Sequence, residues 1–197
     1  MIDLLLLLGL PASGKSEIRR YLDGLDQDRR AADFRLGVPV HLDDYPYVHL
    51  MRLISRELRR RGAHPVFFST DAEPMIEPGD WLALTALLNE DYAGIALAPA
   101  LPERPAAHLL DRFDQARATA GLPSPFAGLP SGLRAALETA IADESAALFR
   151  SLAQSRPLSP AGHTLVLAWA KWARLTTARP RKASWGLPAL WRATWAG

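Results

Sequence analysis

An apolar run that leads directly into a glycine-rich segment restricts the fold of this chain more than any other feature. Residues 2–8 are continuously apolar apart from one acid, have the length of a strand, and are typical of a strand buried on both faces of a parallel sheet. Residues 9–14 hold two glycines and a proline and cannot continue regular structure. Residues 15–22 repeat apolar side chains at helical spacing. The chain therefore begins with a predicted strand, a tight loop and a helix.

The rest of the chain continues this alternation. Further strands are predicted at 38–42, 65–70, 94–98 and 164–169, and helices at 45–61, 81–89, 102–120 and 131–152, while the polar residues 23–37 are predicted to be a surface connection. Asp80 is the expected N-cap of the helix at 81–89, and Gly62 the expected C-cap of the helix before it. Strands that alternate with helices predict an α/β fold, with three layers (helix, sheet, helix) around a mostly parallel sheet. No linker or repeat divides the chain, so 1–197 is predicted to be a single domain.

Residues 9–16, Gly-Leu-Pro-Ala-Ser-Gly-Lys-Ser, match the phosphate-binding pattern G-x-x-x-x-G-K-[ST]. The glycines let the backbone curl around an anion, and the loop amides and the helix N-terminus face it. Lys15 is expected to reach the β- and γ-phosphates, and the Ser16 hydroxyl to coordinate magnesium. The residues predicted to bind nucleotide are Gly9, Pro11, Ala12, Ser13, Gly14, Lys15, Ser16 and Glu17.

The choice of lysine at position 15 strengthens this interpretation. The chain has 20 arginines and only three lysines, and no other lysine precedes Lys171. A compact ammonium suits a phosphate loop better than a planar guanidinium does. An ordinary glycine-rich turn is the alternative.

Asp43 and Asp44 follow the predicted second strand, where side chains of a parallel sheet project over a ligand crevice. A carboxylate at that edge can hold magnesium or accept a proton from a substrate hydroxyl. The alternative is that the pair only caps the helix that begins near Tyr45.

Together, the loop at 9–16 and the Asp43-Asp44-Tyr45 segment resemble the P-loop kinases of small molecules, the nucleoside and nucleotide kinase group. The resemblance covers about residues 1–70. It implies ATP or another nucleoside triphosphate as donor, Mg²⁺ held by Ser16 and Asp43, and Lys15, Asp43 and Asp44 as the catalytic residues. It also implies a small-molecule acceptor such as a nucleoside, nucleotide or sugar.

The last quarter of the chain departs from that family. All 21 acidic residues precede residue 145, and five of the six tryptophans follow it. The predicted last strand runs into Ala168-Trp169-Ala170, where such enzymes carry an acid, so Asp71 is the expected substitute. The basic residues of 168–197 either form a phosphate-covering lid, bind nucleic acid beside the tryptophans, or belong to an atypical, truncated or frame-shifted end. The lid candidates are Arg174, Arg179, Arg181 and Lys182.

Three functions therefore stay open: a magnesium-dependent kinase, a nucleotide-binding protein with little or no catalysis, and an ATPase that acts with nucleic acid. Arg104, Arg112 and Arg117, on one predicted helix, either meet phosphates or form a solvated face. The chain lacks cysteine, a basic leader and an apolar run long enough for a membrane span, so a cytoplasmic location without membrane partners is expected. The acceptor, the base of the donor and the oligomeric state are not predicted.

Overall fold

The computed structural model describes residues 4–9, 14–95, 100–154 and 163–170. Within these ranges the elements follow one another as β1 (Leu4–Gly9), α1 (Lys15–Gly24), α2 (Gln27–Phe34), β2 (Val38–Asp43), α3 (Tyr45–Arg60), α4 (Asp80–Ile95), α5 (Pro105–Thr119), α6 (Ser131–Ala140), α7 (Ala142–Gln154) and β3 (His163–Ala170).

The predicted three-layer α/β fold is wrong, because helices dominate the described part of the chain. Among the residues whose burial is described, the main hydrophobic core is formed by α3 to α7 and the loops between them, and the buried strand residues Val40 and Val166 lie outside it. Phe67, Phe113 and Phe126 lie at its centre, with ring centroids 5.2 to 6.4 Å apart. A layered sheet needs several long strands, whereas here the largest buried surfaces are helical faces.

The strands that are present form a small parallel sheet in the order β1-β3-β2. They occupy the places predicted for the first, second and last strands. Val40 and Val166 are buried in this sheet, and the buried hydroxyl of Thr164 accepts a hydrogen bond from the Gly37 N–H at 2.8 Å.

The third predicted strand, at 65–70, is instead an anchored loop. The backbone N–H groups of Phe67 and Phe68 both donate to the Ser55 hydroxyl of α3, each at 3.1 Å. An isolated bridge joins Phe68 to Met75, and no strand forms here. Phe67 and Phe68 are buried, but the partner of their backbone N–H groups lies on a helix, which periodicity cannot show.

Several other boundaries also differ from the predictions. The predicted strand at 94–98 overlaps the end of α4, and residues 96–99 lie outside the described part. The predicted connection at 23–37 contains α2, whose N-cap Asp26 accepts from the Arg29 N–H at 2.8 Å. The helix predicted over 131–152 is divided at Ile141 into α6 and α7.

Candidate functional site

The carboxyl ends of the strands meet at one edge of the sheet. Gly9 at the end of β1 is aligned with Ala170 of β3, and Asp43 at the end of β2 is aligned with Ala168. Because β3 lies between β1 and β2 and neighbouring strands are about 4.8 Å apart, the ends of β1 and β2 are separated by about 10 Å across the sheet and by two residues, about 7 Å, along it. The predicted phosphate loop and the acid pair are therefore attached to the same edge.

The glycine-rich loop is described at its two ends, and Leu10, Pro11, Ala12 and Ser13 lie outside the described residues. Gly14 has φ 83° and ψ 6°, the left-handed region in which glycine is strongly preferred. Its carbonyl accepts the N–H groups of Glu17 and Ile18 and so begins α1. The positive φ at this turn is the physical reason why the motif needs a glycine at its second glycine position.

The charged side chains at the start of α1 differ in their surroundings. Lys15 is half-buried, while Ser16 and Glu17 are exposed. Glu17 accepts two hydrogen bonds from Arg20, both at 2.8 Å, so its carboxylate is engaged along the helix surface. The Ser16 hydroxyl is accessible at the helix N-terminus.

Asp43 joins the sheet edge to α1. One carboxylate oxygen accepts the Tyr45 N–H at 3.0 Å, and the other forms an ion pair with Arg19 of α1. The Asp43 side chain is 25% exposed. The hydrogen bond from the Tyr45 N–H is the contact expected if Asp43 caps the start of the helix, which was the alternative to a catalytic role.

Asp44 has a different environment. It occupies the N-cap position of α3, yet its side chain makes no capping hydrogen bond, and the residue is only 1% exposed. A buried carboxylate at the start of a helix is costly unless the helix N-terminus or another group compensates it. The two acids are therefore not equivalent.

A second contact between α1 and β2 was missed at the level of sequence. His41 Nε2 lies 2.7 Å from the Asp23 carboxylate, and His41 Nδ1 is buried without a partner among the described residues. His41 and Asp43 are two residues apart on β2, and Arg19 and Asp23 are four apart on α1. Two cross-element contacts thus hold α1 against β2. The spacing in each element was visible, but their pairing was not.

The prediction that Asp71 replaces the acid missing after the last strand is wrong. Asp71 follows no strand, and its carboxylate lies 2.5 Å from Arg56 and 3.2 Å from Arg59, both on α3. Hydrogen bonding to Arg56, opposed by partial burial, lowers the pKa of Asp71. Asp71 therefore anchors a loop to α3 and does not end a strand at the sheet edge.

The arginines proposed to meet phosphates on the predicted helix at 102–120 also have other roles. Arg112 and Arg117 are 5% and 4% exposed and are ion-paired inside the helical core, while exposed Arg104 pairs with Glu138 at 2.7 Å. The lid candidates, the tryptophans from Trp172 onward and the rest of the basic tail lie outside the described residues.

The described residues hold no group of three or more histidines and acids arranged to bind a metal ion. Mg²⁺ in nucleotide sites takes only one or two protein ligands and fills its remaining positions with phosphate oxygens and water. The exposed Ser16 hydroxyl fits that requirement. Each oxygen of Asp43 already accepts one group, which leaves one lone pair on each for a metal-bound water or the metal.

Comparisons of the chain with protein-family models, with curated proteins and with solved structures gave no match. In the part of the chain that the structure describes, there is also no helix with the length and apolar character needed to cross a bilayer. The chemistry of the site is therefore the basis for inferring what this protein does.

Proposed function

We propose that this chain binds ATP or another nucleoside triphosphate at residues 9–16 and transfers its terminal phosphoryl group to a small-molecule acceptor. The observation that carries the proposal is the left-handed Gly14 between a strand and a helix that opens with Lys15 and Ser16. That arrangement directs backbone N–H groups and a positive helix end toward an anion.

Electrostatics supports phosphate binding at this point. The N-terminus of α1 carries the positive end of the helix dipole, and Lys15 adds a full charge beside it. The contacts Arg19 to Asp43 and Asp23 to His41 hold the helix against β2, so the dipole has a defined direction relative to the sheet edge. A preorganised positive site of this kind favours the charge that develops during phosphoryl transfer.

Magnesium would be held by the Ser16 hydroxyl and the nucleotide phosphates, with Asp43 acting directly or through water. When bound, it neutralises charge on the phosphates and orients them. Asp43 or Asp44, the acid pair at the end of β2, would accept the acceptor's proton. We also propose that the protein works in the cytoplasm, where ATP is supplied.

The test is ATP binding by calorimetry, followed by ATP-dependent phosphorylation of nucleosides, sugars and aromatic alcohols. Lys15→Ala is expected to weaken ATP binding by at least about 100-fold, the effect of losing nearly 3 kcal/mol. The control is Arg20→Ala, which removes an exposed arginine of the same helix and is expected to retain binding. Equal ATP affinity in both variants would overturn the phosphate-loop assignment.

The acid pair is tested by Asp43→Asn and Asp44→Asn in the same assay. Loss of transfer with ATP binding retained is expected for the carboxylate that accepts the proton. Full transfer in both variants would remove the acid pair from the mechanism.

One observation favours a second function, nucleotide binding with little transfer. Asp43 is already engaged by Arg19 and by the Tyr45 N–H, and β3 ends without an acid, at Ala168-Trp169-Ala170. Tight ATP binding with no transfer to any acceptor would establish this function in place of the kinase.

A further inference from the structure

A small groove lies beside α3. It has a volume of about 160 Å³ and is lined by Val48, Arg52, Phe68, Ala72, Glu73, Pro74, Met75 and Trp81. Its floor is apolar, because Val48, Phe68 and Met75 are 2%, 3% and 7% exposed. Trp81, at the start of α4, is half-buried and forms part of the wall.

The outer wall of this groove, residues 71–75, is held in place by α3. Arg56 and Arg59 bind the Asp71 carboxylate, and Arg52 donates to the Asp71 carbonyl oxygen. At the inner end of the same loop, the Ser55 hydroxyl accepts the Phe68 N–H, and the Arg59 side chain donates to the Phe68 carbonyl oxygen at 2.8 Å. These contacts make the groove a preformed feature, as ligand sites usually are.

The volume of the groove limits what can enter it. An apolar cavity of roughly 150 Å³ accommodates benzene, whereas sites for larger ligands measure roughly 300 to 1,000 Å³. At about 160 Å³ the groove matches the size of one planar ring, and a fused two-ring system would extend beyond it. The Trp81 indole in the wall suits such a ring, because aromatic pairs stack or meet edge to face.

The rim of the groove is balanced in charge. It carries one cation, Arg52, and one anion, the exposed Glu73. The Arg52 guanidinium also lies over the Phe68 ring, 4.2 Å from its centroid. A charged ligand would be attracted by one of these two residues and repelled by the other. An uncharged ring with polar atoms at its edge is therefore favoured.

The distance from the groove to Asp44 can be estimated along α3. Val48 and Arg52 follow Asp44 at intervals of four residues, so all three lie along one side of α3. At about 1.5 Å of rise per residue, Val48 is about 6 Å along the helix axis from Asp44. Arg52, which also lines the groove, is about 12 Å from Asp44 along the axis, so a ring bound beside Val48 leaves the shorter distance for an arm to span.

We propose that this groove binds the ring of an uncharged molecule that has a single planar ring and a hydroxyl-bearing arm. Resting on the function proposed above, the further inference is that this molecule is the phosphoryl acceptor, with its hydroxyl directed toward residues 43–44. A pyrimidine nucleoside and a simple aromatic alcohol both have this chemistry.

Binding is tested first without nucleotide, by methyl NMR of protein labelled at its methionines. The probes are 2-phenylethanol and uridine, with tryptophol and inosine as two-ring counterparts. The Met75 methyl signal is expected to shift on addition of a one-ring probe, while that of Met51, which is 0% exposed in the core, is expected to stay unchanged. The two-ring probes are expected to bind at least about tenfold more weakly. An unmoved Met75 signal, or equal affinity for one and two rings, would overturn the inference.

A plugged groove provides the second arm. Ala72→Trp fills the rim at an exposed position, so the fold should tolerate it, and affinity for the one-ring probe is expected to fall at least about tenfold. Ala118→Trp, at an exposed position of α5, is the matched control and should leave affinity unchanged. Equal affinity in the two variants would contradict the groove assignment.

The kinase assay separates this inference from the proposed function. Ala72→Trp is expected to raise KM for the acceptor at least about tenfold and to leave KM for ATP unchanged. Transfer to an acceptor whose KM is insensitive to Ala72→Trp would reject the groove as its site and leave the kinase function standing. A shift of Met75 with transfer to other acceptors but to no one-ring alcohol would reject the acceptor assignment, but neither ring binding nor the kinase function.

Discussion

Asp80 is the residue whose environment departs furthest from its predicted role. It was expected to cap a helix, but it is the first residue of α4, is 0% exposed and forms an ion pair with Arg117 of α5. Its other oxygen is buried without a partner among the described residues. Burial, only partly offset by Arg117, raises the pKa of Asp80 to about 6.

This pKa predicts a specific pH dependence of stability. The folded protein binds the Asp80 proton more tightly than the unfolded chain, whose aspartates have pKa values of about 3.9. The resulting stabilisation is fully present below pH 4 and is lost as pH rises through 6, by on the order of 2 kcal/mol. Relative to Asp80→Asn, the free energy of unfolding of the unsubstituted protein should fall by that amount between pH 4 and 7. Urea denaturation at both pH values measures it, and parallel pH curves would contradict it.

Gly62 and Gly132 differ in backbone conformation, so the same substitution is expected to have opposite effects on stability at the two positions. Gly62 ends α3 with φ 73°, and its N–H donates to the Arg59 carbonyl at 2.9 Å, whereas Gly132 lies in α6 with open space around it. Gly62→Ala is expected to lower the free energy of unfolding by about 1 kcal/mol, because alanine disfavours the left-handed region. Gly132→Ala should raise it by about 0.5 kcal/mol. Thermal unfolding distinguishes them, and equal signs would contradict the prediction.

At the scale of elements, one buried polar network ties three helices together. Arg112 of α5 donates to the Tyr47 hydroxyl of α3 and to Asp91 of α4, both at 2.9 Å, and Tyr47 donates to Asp91 at 2.6 Å. Burial raises the pKa of Asp91, while Arg112 opposes that shift. Burial and the Asp91 charge raise the pKa of Tyr47. Every member of the network has a partner, which makes burial of these groups tolerable.

Removing Arg112 should therefore be costly. Arg112→Met leaves the Asp91 charge buried without its cationic partner, and the free energy of unfolding is expected to fall by about 3 to 5 kcal/mol. Arg104→Met removes an exposed arginine that pairs with Glu138, so a loss of at most about 1 kcal/mol is expected. Chemical denaturation of both variants tests the difference, and equal losses would show that the network contributes little.

For the whole molecule, the aromatic centre of the helical core is expected to contribute strongly to stability. Phe113 is 0% exposed and contacts Tyr47, Phe67 and Phe126. Phe113→Ala is expected to lower the free energy of unfolding by about 3 to 5 kcal/mol through lost burial and a cavity. Phe34→Ala, at a side chain that is 39% exposed, should cost about 1 kcal/mol or less. If chemical denaturation shows that Phe34→Ala lowers the free energy of unfolding more than Phe113→Ala does, Phe113 is not at the centre of the core.

The candidate site was predictable in part. Local rules locate a strand, a left-handed glycine and a helix start around Gly14, and the same rules locate Asp43 at a strand end. They do not reveal that Arg19 occupies one oxygen of Asp43, since that contact joins residues 24 apart in sequence. The kinase assignment rests on residues 9–16 and remains a prediction.

From the sequence alone come the elements whose causes are local: β1, β2 and β3, the start of α1 at Gly14, and the length of α3 up to Gly62. The tertiary structure alone decides that helices and not a layered sheet form the main core, that 65–70 is a loop on Ser55, and that Arg112 is buried. The physical reason is that burial and ion pairing depend on which distant faces meet. Periodicity states that a face is apolar, but it does not state what covers that face.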